Sequence, residues 1–97
     1  MKALYDSEAR ALSIDLEEPT GQAVHGEEID GLVVALAADG RVVSIEALDP
    51  GAGLDAHLTA AADRFGLDGG ALGAAARAAL AVPDREVELL VGARTAA

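Results

Sequence analysis

The chain has 97 residues, 52% of them hydrophobic and mostly Ala, Leu and Val, with one Phe, one Tyr, one Met, no Trp and no Cys. Its 17 acidic against 7 basic residues give a formal net charge of −10, which repels phosphate backbones and anionic lipid heads and sets both aside as partners. Without cysteine there are no disulfides or thiolate chemistry, and no apolar run approaches the roughly 18 residues of a membrane span, so the expectation is one cytoplasmic domain over 1–97.

From Lys2 to Leu48 the apolar residues recur with a period close to two, which predicts strands with at least one buried face. After a first strand ending near Tyr5, the turn Asp6-Ser7-Glu8 leads into a second, where Leu12, Ile14 and Leu16 share a face and Ala11, Ser13 and Asp15 the other. Glu18-Pro19-Thr20-Gly21 is turn chemistry, and the acidic stretch around Glu27 and Glu28 reads as a solvated connection. Leu32, Val34 and Leu36 then alternate with Val33, Ala35 and Ala37. Asp39-Gly40 is a strong hairpin signal before a strand facing Val43, Ile45 and Ala47 inward. The segments RALSID from Arg10 and RVVSIE from Arg41 share the order Arg-x-x-Ser-Ile-acid. Each follows a tight turn and starts a returning strand, so two hairpins of similar design account for the repetition.

Beyond Asp49-Pro50-Gly51-Ala52-Gly53 the period becomes helical, with a stripe of Leu54, Leu58, Ala61, Ala62 and Phe65 and with Gly66 placed to end the helix. Asp68 is placed to cap a second helix whose stripe is Leu72, Ala75, Ala76, Ala79 and Leu80, and Pro83 stops it. Glu86 to Val91 alternates again, with Val87, Leu89 and Val91 on one face. The expected fold is therefore α+β: an antiparallel sheet of about four to five strands, built as two hairpins plus a C-terminal strand, with two helices on one face. Residues 1–49 would form the sheet and 50–97 a helix-helix-strand extension. The packing residues would include Leu12, Ile14, Val34, Ile45, Leu58, Phe65, Leu72, Leu80 and Leu89.

The stretches YDSEARALSI and GLVVALAADGRVVSIEALD resemble the bacterial and archaeal family catalogued as domain of unknown function 2283. The similarity rests on Tyr5, Asp6, Glu8, Ala9, Ala11, Leu12, Asp39, Gly40, Ile45 and Glu46, and it covers only the first half of the chain. Ser7 stands where the family usually has proline, Ser13 where an aromatic is common, and Ser44 where glycine is common. The resemblance implies a small antiparallel sheet and brings no catalytic residues with it. Some members are encoded beside small basic toxin-like proteins, which implies an antitoxin-like role by analogy.

Signals for chemistry are sparse. GAGLDA, Gly51 to Ala56, fits the dinucleotide fingerprint, but a second helix follows where a Rossmann unit needs a parallel strand, and Asp55 would compete with a phosphate for the helix N-terminus. His25 and His57 match no ligand spacing that would join Glu27, Glu28 and Asp30 in a metal site, so neither metal nor cofactor is expected. Ser7, Ser13, Ser44, Thr20 and Thr59 lie in no nucleophile elbow, and no enzyme is expected. Between Ala62 and Leu80 a helix-turn-helix would offer Arg77 as its second helix's sole cation, which is too few for DNA.

The leading expectation is thus a non-enzymatic, self-associating structural or interaction module, with a dimer favoured because a core without aromatics gains from a second copy. The alternative is an acidic, antitoxin-like neutraliser of a basic protein, touched through Asp15, Glu17, Glu18, Glu27, Glu28 and Asp30. A small-ligand binder or enzyme is the third.

Overall fold

A computed structural model of the protein describes residues 1–16, 23–29 and 31–89. Strands β1 (Lys2–Asp6), β2 (Ala11–Asp15), β3 (Ala23–Ile29), β4 (Leu32–Ala37) and β5 (Val42–Leu48) precede helices α1 (Leu54–Phe65) and α2 (Gly69–Ala81), and β6 (Val87–Glu88) follows. The six strands form one sheet in the order β3-β4-β5-β2-β1-β6, with every pairing antiparallel. The α+β architecture expected from the sequence is present, with six strands among the described residues in place of four to five.

The additional strand is β3, in the stretch expected to be a solvated connection. Its burial is that of a sheet edge, exposed at Ala23 to Gly26 and half-buried only at Glu27 and Ile29. Such a strand has no clean apolar alternation, because most of it is uncovered on both faces, with Ile29 alone packed against the core, and its pairing to β4 supplies the order. The sheet's other edge is β6, which pairs Val87 with Ala3 and Glu88 with Lys2. It is shorter than the expected Glu86 to Val91 strand, although the Leu89 N–H still donates to the Met1 carbonyl at 2.8 Å. Val91 lies outside the described residues. The pairing is made within the chain.

Alternation divides the sheet into two faces. Ala3, Leu12, Ile14, Leu32, Val34 and Ile45 point toward the helices and are at most 2% exposed. A register shift between Ala35 and Leu36 pairs Leu36 with Val42, so Val42 joins that core cluster, while Val43, 1% exposed, is buried as expected but apart from it. The bulge explains the departure from simple alternation: one extra residue on β5 reverses the facing of all that precede it.

α1 buries Leu54, Leu58, Ala61 and Ala62 and ends at Gly66, whose φ of 67° is the left-handed conformation glycine adopts without a Cβ clash. α2 begins at Asp68, whose carboxylate accepts from the Ala71 N–H at 3.1 Å. Its buried side, which includes Leu72, Ala75, Ala76 and Ala79, packs on β1 and β2. Side chains this small let the helix lie close to the strands, while Phe65, Leu80 and Leu89 close the core's margin as half-buried residues.

Truncating Leu72, which has no exposure, to alanine should cost about 2 to 5 kcal/mol of an expected total of about 5 to 15 kcal/mol. Leu48→Ala, on the opposite sheet face and 60% exposed, should stay within about 0.5 kcal/mol of the wild type. Urea unfolding of both variants measures this; equal losses would mean that the helices do not cover the face assigned to them.

The open sheet face as candidate functional site

The repeated Arg-x-x-Ser-Ile-acid segments meet at the centre of the sheet. β2 and β5 are its middle strands, and their antiparallel register pairs Ser13 with Glu46, Ile14 with Ile45 and Asp15 with Ser44. Each Ser-Ile-acid triplet therefore lies against the other in reverse. The isoleucines enter the core, and each serine neighbours the other strand's acid on the far side.

That far side has no covering helix or strand among the described residues. One row across it runs Glu28, Val33, Glu46, Ser13, Leu4, and the next runs Gly26, Ala35, Ser44, Asp15, Lys2, Glu88. The surface is made of small, hydroxyl and aliphatic groups edged by carboxylates. Val33 is 40% exposed and Leu48 60%. The Glu28 and Glu46 carboxylates make no side-chain hydrogen bond or ion pair among the described residues, whereas Lys2 and Asp15 both take part in interactions.

Of the acids expected to contact a partner, the structure brings Asp15 and Glu28 onto this face. Glu27 lies on the helix side of β3 and accepts a hydrogen bond from the Arg64 guanidinium, so it serves the chain's own packing. Glu17, Glu18 and Asp30 lie outside the described residues. Glu46 is not legible in the sequence as a member of this face, because it sits mid-strand and its placement opposite a serine follows only from the β2–β5 register.

Arginines are largely occupied internally. Arg10 pairs with Asp49 at 2.6 Å, Arg41 with Asp39 at 2.7 Å, and Arg77 lies 4.0 Å from Asp55. The Arg41 backbone N–H, and then its side chain, hold the Asp39 carboxyl below the usual carboxylate range. These exposed pairs contribute little to stability individually, but they leave the surplus acids to dominate the field.

The other sequence signals do not converge. Gly51 to Gly53 leads into α1 beside a cleft of about 120 Å³ that His57, Asp49 and Gly31 help to line, well below the roughly 300 to 1,000 Å³ of small-molecule sites. His25 is on the β3 edge and His57 on α1, and among the described residues no group of three or more His, Asp or Glu could hold a metal. Among them, too, no helix is long and apolar enough to cross a membrane. α2 lies against the sheet with Arg77 as its sole cation, as an αα packing unit.

Residues 2–49 match the model of a family described as Protein of unknown function (DUF2283). The first half of the chain belongs to that family. No curated protein and no solved structure matches the chain. The matched residues run from the start of β1 to one residue past the end of β5, so the family segment supplies five of the six strands and the whole β2–β5 centre.

A contact joins the family segment to the extension. The Ser7 hydroxyl donates to Asp84 Oδ2 at 2.6 Å and its backbone N–H to Asp84 Oδ1 at 2.9 Å. Asp84 in turn donates its N–H to the Tyr5 carbonyl at 2.8 Å, tying the loop after α2 to the β1–β2 turn. The Ser7 hydroxyl, followed by its N–H, holds the Asp84 carboxyl below its usual range.

A carboxylate with a depressed folded pKa binds its proton less readily folded than unfolded. Its contribution is complete above the unfolded value of about 3.9 and is lost as pH falls through the folded value. The Asp84→Asn variant should therefore be less stable than the wild type at pH 7, with the gap closing as pH falls below about 4. Urea midpoints from pH 7 down to pH 2 measure it, and a gap independent of pH would contradict the charged tie.

Proposed function

We propose that the chain is a non-enzymatic protein-interaction module whose open sheet face receives a cationic protein surface. The carrying observation is the β2–β5 register, which puts Glu46 beside Ser13 and Asp15 beside Ser44 in the middle of a face left uncovered by the described elements. Adjacent strands lie about 4.8 Å apart, so Glu28 and Glu46 are about 10 Å apart with Val33 between them. A lysine or arginine can lay its aliphatic stem over Val33 and Ala35 and present its charge to either carboxylate. Serines and alanines keep the surface low, so the partner's backbone can come near. An acidic neutraliser of a basic protein, antitoxin-like in action, is the biological form this reading takes.

Self-association is the second reading, supported by the core's shortage of large side chains and by Val33 and Leu48 standing in the open. Two copies meeting through the sheet face set Asp15, Glu28, Glu46 and Glu88 against their counterparts, with Lys2 as the cation among the described residues of its central rows. Like charges at that range disfavour the contact, so a second copy belongs on another surface. Pairing along β3 is disfavoured as well, by Glu27, Glu28 and the register shift between Ala23 and His25.

Affinity capture with the whole chain tests the first reading. A basic protein should be retained at about 0.1 M salt and released at about 1 M, where the Debye length falls from about 10 Å to about 3 Å. The double variant Glu28→Lys, Glu46→Lys should slow association about tenfold or more, whereas Glu8→Lys with Asp63→Lys, equal in net charge but away from the face, should have a smaller effect. Equal effects of the two double variants would leave net charge, and no particular face, as the determinant.

A further inference from the structure

We infer that the outer groove between α1 and α2 docks the same groove of a second copy, with Asp55 and Arg77 exchanging partners across the two-fold axis. The inference rests on the self-association reading and gives it a place. Two adjoining hollows of about 210 and 230 Å³ lie along this groove, and Asp55 and Arg77 line both. The first is bordered by Gly69, Gly70 and Gly73, the second by Ala52, Ala76 and Leu80. With so little side chain along them, the hollows leave room for groups from outside, and Leu80 is half-buried at their margin.

Charge selects the occupant. Asp55 and Arg77 stand astride the groove 4.0 Å apart, at the limit of an ion pair, with 78% and 67% of their side chains exposed. In a two-fold interface, residue i of one copy meets residue j of the other while j meets i, so one acid and one base flanking the axis form a self-complementary set. The groove's centre is locally neutral, unlike the sheet face, and a second copy offers each of these two exposed charges an opposite one. The nearest further acid on the same side of α1, Asp63, is eight residues on and about 12 Å along the helix axis. Within one chain the Arg77 guanidinium folds back over Gly73, where a Cβ would stand 3.1 Å from Nη1. Docking turns that side chain outward to a carboxylate of the second copy.

Charge exchange between chains gives a direct test. Light scattering coupled to size exclusion should give twice the chain mass for the wild type across micromolar concentrations. Asp55→Arg and Arg77→Asp should each give the monomer mass, because either change sets like charges together at both contacts. Mixing those two variants should restore the doubled mass, since each supplies what the other lacks, and native mass spectrometry should show one copy of each in the assembly. This restoration also demonstrates that both variants are folded. If the variants remain dimeric, or stay monomeric when mixed, the groove is not the interface although self-association stands. A wild type that is monomeric at every concentration overturns both the groove and the self-association reading.

Discussion

The antiparallel register of β2 against β5 is the constraint on which the rest of this structure depends. Ile14 faces Ile45 on the core side, and the residues next to them, Ser13 with Glu46 and Asp15 with Ser44, face the other way. A slip of one residue would carry the acids into the helix layer and the isoleucines into water. Burying a carboxylate without a partner and exposing an isoleucine both cost free energy, so one side is fixed as core and the other as surface. The described core holds no buried polar or charged residue, in agreement with that division.

The helix layer completes one side with alanine. Ala61, Ala62, Ala75, Ala76 and Ala79 are buried, so the helices sit close to each other and α2 lies close to β1 and β2, with Tyr5 and Phe65 only at the core's margin. Each alanine buries little area, and the core gains its stability from several leucines, isoleucines and valines instead. With the family segment providing β1 to β5, the extension's helices act as the lid of a sheet that cannot bury both faces. The Ser7–Asp84 hydrogen bonds and the β1–β6 pairing fasten that lid at separate points. What is left over is an acidic sheet face and an interhelical groove flanked by Asp55 and Arg77.

Much of this was legible in the sequence where local chemistry and tertiary burial agree. Leu12 and Ile14, Val34, and the stripes at Leu54, Leu58 and Leu72 announced their faces by period, while Gly66 and Asp68 announced the helix boundaries by conformation and capping. β3 was not legible by period, because an edge strand carrying Gly26, Glu27 and Glu28 alternates nothing; yet Asp30-Gly31 in the sequence is the same dipeptide as Asp39-Gly40, and Gly31 has the positive φ of 80° such turns use. The bulge at Val43 was hidden because Val42 and Val43 are interchangeable to a pattern. For the candidate site, Asp15 and Glu28 could be named but Glu46 could not, since its neighbours on the face come from other strands. Ser7 and Asp84 are 77 positions apart, and no local rule pairs them.

Methyl relaxation by a soluble paramagnetic agent, read on valine, leucine and isoleucine methyl groups of the dilute chain, tests the central division of the sheet most directly. The account predicts strong relaxation at Val33 and Leu48 and protection at Leu12, Ile14, Val34 and Ile45, with Val33 and Val34 differing although they are neighbours in the chain. Equal protection of Val33 and Val34 would contradict it, because the face described as open would then be covered.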